Sequence, residues 1–204
     1  MKNLKDLKIN KEDGKKLIDL AREAIKKHLK GEEVKASEEI KTKFSENMGV
    51  FTTLYTYPKK TLRGCIGNPY PTNPIWENIL ITSVESAFYD PRFPPIKNER
   101  ELLNLILEIT ILSEPKLLEV NPTEYKNYII IGKTGLMVKK GLNRGLLLPQ
   151  VALEYGFDEE KFLSETCLKA GLSYNEWKNK ETEVYTFEGL KIKELKPNGE
   201  VIID

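Results

Sequence analysis

Helix-forming and strand-forming segments are mixed along this chain without the regular strand–helix–strand alternation of a parallel α/β protein. Residues 10–31 carry apolar side chains at the spacing of an amphipathic helix, whereas residues 50–57 are rich in threonine, tyrosine, phenylalanine and valine. Residues 105–112 form an apolar run that is typical of a buried central strand. This mixture predicts an α+β fold in which helices flank a mostly antiparallel sheet.

The first predicted helix has a boundary signal at each end. Asn10 is suited to be its N-cap, and Asp13 stands three residues later, as in a capping box. Gly31 is suited to end the helix. His28, the single histidine of the chain, lies near the C-terminal end at the edge of the apolar stripe, and we interpret it as a structural residue that favours the helix dipole.

The second helix is predicted over residues 74–89. Asn73 is the predicted cap, and Pro74 is suited to the first helical position because its missing N–H needs no partner there. The helix must end near Asp90, because Pro91 disfavours helical geometry in the residue before it.

The other predicted elements follow from turn residues and short apolar runs. A turn at residues 58–60 joins the strand 50–57 to a return strand at 61–66, and residues 113–123 form a linker. Beyond the linker, strands are predicted at 128–131, 135–138, 145–148, 184–187, 190–195 and 201–203, a helix from Asp158 to Gly171, and a short helix near Trp177 after a capping-box pattern at Ser173.

Composition restricts the classes of partner. The 204 residues carry a formal net charge of +1, so neither a long nucleic acid nor an anionic membrane is implied as a partner. No apolar run approaches the ~20 residues that cross a bilayer, so no membrane association is predicted. Because the polar, lysine-rich start lacks the apolar segment of a signal peptide, we expect a cytoplasmic protein.

Two cysteines and one histidine leave little basis for metal or disulfide chemistry. Cys65 and Cys167 lie too far apart in sequence for a CxxC redox pair, and a zinc site would need unusual ligands. We predict no metal site and no disulfide required for folding. Phosphate-binding, dinucleotide-binding and zinc-protease motifs are absent from the sequence, so no cofactor is predicted.

The segment LRGCIG, residues 62–67, is the strongest candidate site. On a strand, Arg63 and Cys65 would share one face, and a nearby guanidinium favours the thiolate form of a cysteine. Gly64 and Gly67 allow a ligand or another backbone to approach closely. Cys65 is therefore a candidate nucleophile. The alternative is that Cys65 packs as a small apolar residue.

Two further segments supply candidate ligand-binding residues. In DPRFPP, residues 90–95, the prolines fix the backbone, so Asp90 and Arg92 are candidates to hold a carboxylate or phosphate. The alternative there is a structural salt bridge. Gln150 is predicted at a helix start, where its amide can bond to backbone or ligand. Cys167 lies on the apolar face of its predicted helix and is expected in the core.

Taken together, LRGCIG, AFYDPRFPP, GLLLPQVA and residues 167–172 resemble the AMME chromosomal-region candidate (AMMECR) domain family, which is widespread in archaea. The resemblance spans residues 15–187 and implies an α+β fold with a larger and a smaller lobe and a cleft between them. We place the larger lobe at about 1–122 plus 182–204 and the smaller at about 123–181. The resemblance also implies a shared modification pathway with a radical S-adenosylmethionine enzyme and a Memo-type protein.

Two hypotheses follow. In the first, the protein is an enzyme or enzyme subunit that uses Cys65 on an anionic small molecule or a protein substrate, with Arg63 tuning the thiol and Asp90 and Arg92 positioning the substrate. In the second, it is a non-catalytic module whose LRGCIG segment and cleft bind a partner protein or nucleic acid. Catalysis requires an exposed sulfur with a low pKa, and binding requires neither.

Overall fold

A computed structural model describes residues 4–204 of the chain. These residues divide into two compact units. The first unit consists of the described residues up to Leu112 together with Leu190–Asp204, and the second is Ser113–Gly189. Each unit has its own buried apolar cluster.

Helices and strands alternate irregularly along the chain, as the sequence pattern predicts. The α-helices are α1 (Lys11–Leu29), α2 (Glu38–Lys43), α3 (Ile75–Phe88), α4 (Glu99–Leu102), α5 (Pro149–Tyr155) and α6 (Glu159–Lys169), with 3-10 helices at Leu4–Leu7, Pro122–Tyr128 and Glu176–Lys178. The strands are β1 (Gly49–Thr56), β2 (Leu62–Asn68), β3 (Leu105–Leu112), β4 (Lys116–Leu117), β5 (Thr134–Lys140), β6 (Asn143–Leu147), β7 (Glu183–Glu194) and β8 (Val201–Ile203).

The strand pairing within both units is antiparallel. In the first unit, β1 lies between β2 and β3, and β8 pairs with the last residues of β7. In the second unit, β5 lies between β6 and β7, and β4 also pairs with β7. The prediction of an α+β fold with an antiparallel sheet and flanking helices is confirmed.

The first core forms where α1 and α3 cover one face of the sheet. Alternation along β1 turns Val50 and Leu54 towards the helices, and every second residue of β3 joins them. Among its members, these apolar residues are completely inaccessible to solvent: Leu17, Ile18, Ile25, Val50, Leu54, Ile75, Ile79, Leu107, Ile109 and Ile111. This packing fixes which residues of β1 and β2 face away from the helices.

A buried ion pair ties α1 to the end of β7. The guanidinium of Arg22 donates to both carboxylate oxygens of Glu194, at 2.9 and 2.5 Å, and to the carbonyl oxygens of Leu102 and Leu105. Glu194, which is completely buried, also accepts a hydrogen bond from the backbone N–H of Leu107. Because its hydrogen-bonding groups are satisfied, this pair is compatible with a low-dielectric interior.

The second core lies between β5 and the helices α5 and α6. Phe162, Leu163 and Cys167 of α6 are fully buried in it, together with Val138 of β5. The prediction that Cys167 belongs to the core is confirmed.

The predicted helix boundaries are correct in part. The capping box at Asn10 and Asp13 and the cap at Asp158 are both present. Asn73 is not the cap of α3: the helix begins at Ile75 with Pro74 in the cap position and no side-chain cap bond. The capping box predicted at Ser173 is also absent, because the cap of the 3-10 helix there is Asn175, without a side-chain bond.

Two strand predictions also need correction. Residues 128–131 are not a strand, because the 3-10 helix Pro122–Tyr128 is followed directly by irregular backbone and a turn. The segments 184–187 and 190–195 are not separate strands but parts of the continuous strand β7, since Gly189 does not interrupt the extended backbone. Across residues 4–204, no helix combines the length and the apolar character needed to span a membrane.

Candidate active site

Cys65 lies on β2, on the sheet face opposite to the helices of the first core. It pairs directly with Thr53 of β1, and it is half-buried. Its neighbour Gly64 faces α3, where a Cβ atom would lie 2.1 Å from the carbonyl oxygen of Ser86. Glycine at this position therefore allows the close approach of helix and strand that sets the depth of Cys65.

The backbone around Cys65 is held by three side chains. Its N–H donates to the Oδ2 of Asp90 at 2.8 Å, and its carbonyl oxygen accepts from the Nη2 of Arg92 at 3.0 Å. The next N–H, that of Ile66, donates to the hydroxyl of Ser86 at 2.8 Å. This bonding fixes the direction in which the thiol points, and a fixed reacting group is a prerequisite for efficient chemistry.

Asp90 and Arg92 hold one another in a fixed geometry. The Nε of Arg92 donates to Oδ1 of Asp90 at 2.9 Å, and the Nη2 donates to Oδ2 at 2.7 Å. Asp90 is 3% exposed, whereas half of the Arg92 side chain, 51%, remains accessible. The hydrogen bond from the guanidinium and the bond from the Cys65 N–H lower the pKa of Asp90 to about 2.

This geometry follows from the local sequence. Helix α3 ends at Phe88, and the turn after it begins at Asp90, where the backbone N–H of Arg92 also donates to Oδ1. The N–H of Ile96 then donates to the carbonyl oxygen of Ala87, which closes the loop against the helix. The DPRFPP segment is therefore anchored at both ends.

Arg63 does not lie beside Cys65 as simple strand alternation predicts. Leu54 pairs with Gly64 and Tyr55 with Leu62, so Arg63 is an extra residue without a partner in the strand pair. Its guanidinium donates twice to Glu101 of α4, at 3.0 and 2.8 Å. Among the described residues its buried Nη1 has no hydrogen-bond partner.

A row of polar side chains crosses the same sheet face next to Cys65. The hydroxyl of Thr53 donates to the sulfur at 3.3 Å, and Glu108 of β3 is directly opposite Thr53. Glu108 is buried and lies 3.4 Å from the Nζ of Lys193, measured from its Oε2. Our sequence reasoning did not identify Thr53, Glu108 or Lys193. The sequence could have indicated Glu108, because it is the only acidic residue in the apolar run of residues 105–112.

Burial raises the pKa of the Cys65 thiol above its ordinary value. The hydroxyl of Thr53 and the charge of Arg92 oppose this increase, whereas the charges of Asp90 and Glu108 add to it. The expectation that Arg63 lowers the pKa of Cys65 is therefore wrong: the positive charge that acts on the thiol is that of Arg92. Burial raises the pKa of Cys167 further, to about 11.

A family model with the description AMMECR1 matches residues 18–192, a range that contains Thr53, Cys65, Asp90 and Arg92. The chain belongs to the AMMECR1 family. The resemblance of the chain to the AMMECR domain family is thereby confirmed.

Relatives of this AMMECR1-family protein come from bacteria and archaea. A protein of Aquifex aeolicus is 49% identical over 189 residues, which cover 93% of this chain and 96% of the relative. Protein PH0010 of Pyrococcus horikoshii is 45% identical over 198 residues, which cover 95% of this chain and 96% of that protein. The crystal structure titled as the uncharacterized protein PH0010 matches with a TM-score of 0.90 at 43% identity, covering 96% of this chain and 98% of that chain. None of these names states an activity.

Gln150, the last of the predicted ligand-binding residues, lies in the second unit. Gln150 is the second residue of α5 and is half-buried. That its amide binds a ligand stays a prediction. Within residues 4–204, no group of three or more histidine, cysteine, aspartate or glutamate side chains is placed to hold a metal ion.

The site therefore combines the fixed, half-buried thiol of Cys65 with the half-exposed guanidinium of Arg92, which bonds to the backbone of Cys65. An arginine has five N–H donors, and the bonds described for Arg92 use the Nε–H and both N–H groups of Nη2. Among residues 4–204, no hydrogen bond uses the two N–H groups of Nη1, so these donors remain for a ligand. Asp90 balances the charge of Arg92. The guanidinium would therefore hold an anion mainly through directed hydrogen bonds and less through net positive charge.

Proposed function

We propose that this AMMECR1-family protein is an enzyme or enzyme subunit that uses the thiol of Cys65 on an anionic small molecule or protein substrate. The observation that carries the proposal is the convergence of Thr53, Asp90 and Arg92 on Cys65: one hydroxyl donates to the sulfur, and two charged side chains bind the backbone of the same residue. A cysteine that only filled space would need none of these contacts.

The thiol is protonated at rest in this proposal, so the low resting pKa that the sequence argument required of a catalytic cysteine is not met. The thiolate has to be stabilised only when it forms during the reaction. Burial and the charge of Glu108 raise its pKa, which protects it from oxidation, because the thiolate is the reactive form. The hydroxyl of Thr53 and the guanidinium of Arg92 stabilise the thiolate once it forms. Cys65 then loses its proton to solvent, and the thiolate sulfur forms a bond to an electrophilic atom of the substrate. The bond from that atom to its leaving group breaks, and the leaving group departs with the bonding electron pair.

Arg92 is the residue to which we assign the substrate anion. Asp90 orients its guanidinium, and the two N–H groups of Nη1 are charge-assisted donors of the kind that carboxylate and phosphate oxygens accept. Gln150 stays a candidate for a second ligand contact. We assign Arg63 to the scaffold, because Glu101 already binds two of its nitrogens.

We place this chemistry in the cytoplasm, where reducing conditions keep Cys65 as a free thiol. A shared pathway with a radical S-adenosylmethionine enzyme and a Memo-type protein is part of the proposal and rests on the AMMECR resemblance alone. That pathway would supply the activated substrate on which Cys65 acts.

The proposal is tested by the pH dependence of iodoacetamide alkylation in the native protein, with each cysteine quantified by peptide mass spectrometry. Cys65 should react, with an apparent pKa above that of an ordinary thiol, and Cys167 should not. Thr53→Val should raise the apparent pKa of Cys65, because the sulfur loses a donor. Glu108→Gln should lower it, because a negative charge is removed. Thermal melting of each variant controls for unfolding.

A non-catalytic binding module is the second candidate, and the raised pKa of Cys65 is the observation that favours it. Arg63 also pairs with Glu101, and Arg92 pairs with Asp90. Such pairs are expected when arginines have a structural role. If Cys65 resists alkylation in the native protein up to the pH at which an unfolded thiol reacts fully, thiol chemistry is excluded and the binding module is the better description. The partner would then be a protein or a nucleic acid that contacts the LRGCIG segment.

A further inference from the structure

The second unit contains a cavity lined by lysines that the Cys65 site does not use. Its volume is about 390 Å³, within the range of roughly 300–1,000 Å³ that is usual for small-molecule sites. We call it the lysine pocket and define it by Asn121, Pro122, Lys126, Trp177, Lys178 and Lys180. All of these residues lie within Ser113–Gly189.

The lysine pocket is locally positive although the whole chain is almost neutral. Three ammonium groups line it, against the single carboxylate of Glu160. Among residues 4–204, Lys139 pairs with Glu183 and Lys140 pairs with both Glu176 and Glu181, whereas the three pocket lysines form no ion pair. Uncompensated positive charge around a concave surface attracts an anion.

Trp177 gives the pocket a rigid wall. The tryptophan is 4% exposed, and its indole N–H donates to the hydroxyl of Ser164 at 2.9 Å. The ammonium of Lys178 lies over the indole ring, 4.9 Å from its centroid. One of the three charges is therefore held in place before any ligand arrives, which reduces the entropy lost on binding.

A second cavity, of about 430 Å³, adjoins the lysine pocket and shares Asn121, Pro122 and Lys180 with it. Apolar side chains line part of it, among them Leu118 and Tyr125. Thr182 also lines this adjoining cavity, and it is 2% exposed. Its hydroxyl has no hydrogen-bond partner among the described residues. A buried hydroxyl without a partner is unfavourable, so a ligand that supplied one would be stabilised there.

We propose that the lysine pocket binds the phosphate group of an organic phosphate whose apolar body extends into the adjoining cavity. Lysines suit the phosphate as compact point charges, whereas planar carboxylates are matched better by arginine, and no arginine lines either cavity. Leu118 and Tyr125 contact the apolar body, and the hydroxyl of Thr182 bonds to a polar atom on it. This site is independent of the chemistry proposed for Cys65.

The test is a titration of the whole protein with phenyl phosphate, followed by ¹H–¹⁵N NMR of the indole N–H of Trp177. The chain has two tryptophans, so Trp76→Phe assigns the signal. We expect a saturable shift that weakens at higher salt, and at least a tenfold loss of affinity in the triple variant Lys126→Gln, Lys178→Gln, Lys180→Gln. The matched control removes the same number of charges from other exposed lysines of the same unit, Lys116→Gln, Lys133→Gln and Lys169→Gln, and should keep the affinity.

Three comparisons can overturn the proposal. Equal affinity of the triple variant and the control would show that the lysines do not form the site. Equal binding of benzoate would contradict the choice of phosphate, and equal binding of inorganic phosphate would contradict an apolar body in the adjoining cavity. Thr182→Val should weaken phenyl phosphate binding severalfold without lowering the melting temperature, and unchanged affinity would remove Thr182 from the site. None of these results depends on the reactivity of Cys65.

Discussion

Replacing Asp90 by asparagine should destabilise the protein in a pH-dependent way. Asp90 is buried, and each of its carboxylate oxygens accepts two hydrogen bonds, from the N–H of Cys65 and from three nitrogen atoms of Arg92. Asparagine has the same shape, but it has no charge, and its NH₂ group must face donors where the carboxylate accepts from them.

The pKa of Asp90 sets the size of the effect. Its value falls from 3.8 to about 2 in the folded protein. At 1.36 kcal/mol per unit this difference corresponds to about 2 kcal/mol, after allowance for solvent screening at the half-exposed Arg92. Because the folded pKa is the lower one, this stabilisation is present above about pH 4 and is lost as the pH falls towards about 2.

Urea unfolding followed by circular dichroism at pH 7, 5, 3 and 2 measures this contribution. Asp90→Asn should lose about 2–4 kcal/mol at pH 7, and its difference from the wild type should shrink by about 2 kcal/mol at pH 2. The control is Asp158→Asn, because Asp158 is an exposed cap of α6, where asparagine is equally suitable. A loss below about 0.5 kcal/mol at pH 7, or a difference that is the same at pH 7 and pH 2, would refute the assigned role of Asp90.

Three further changes test the scaffold. Arg22→Met should lower the free energy of unfolding by about 3–5 kcal/mol in urea, because Glu194 is then buried without its counter-charge; a loss under about 1 kcal/mol would contradict the importance of this pair. Gly64→Ala should cost about 3 kcal/mol, because the new methyl group meets the backbone of Ser86, and an unchanged stability would show that helix and strand are not in close contact. Dithiothreitol should leave the melting temperature unchanged, since both cysteines are free; a decrease would indicate a disulfide.

The parts of the fold that local chemistry determines were predictable. The capping box of Asn10 and Asp13 needs only residues three apart, and the hairpin of β1 and β2 needs only two β-rich runs with a turn between them. Predictions failed where the outcome depends on more distant residues. The apolar run at 128–131 is typical of a strand, but in the folded chain its backbone forms turn hydrogen bonds, with the carbonyl oxygen of Ile130 accepting from the N–H groups of Lys133 and Thr134.

The candidate site was predictable in its residues but not in its contacts. Cys65, Asp90 and Arg92 are brought together, and the sequence motifs contain all three. The position of Arg63 could not be predicted, because the extra residue in β2 is a property of strand register, which a sequence pattern does not contain. Thr53 and Glu108 were missed for the same reason, since only the alignment of β1, β2 and β3 places them beside the thiol.

The central claim, that Cys65 is a reactive thiol beside an anion-binding Arg92, is tested most directly by comparing iodoacetate with iodoacetamide. The ratio of their rate constants at Cys65 is divided by the same ratio for a free small thiol. We predict a preference for the anionic reagent on the order of tenfold, because a charge-assisted hydrogen bond to Arg92 contributes enough for that factor. The preference should disappear in Arg92→Met and persist in Arg63→Met. A ratio equal to that of the free thiol, unchanged by Arg92→Met, would contradict the claim.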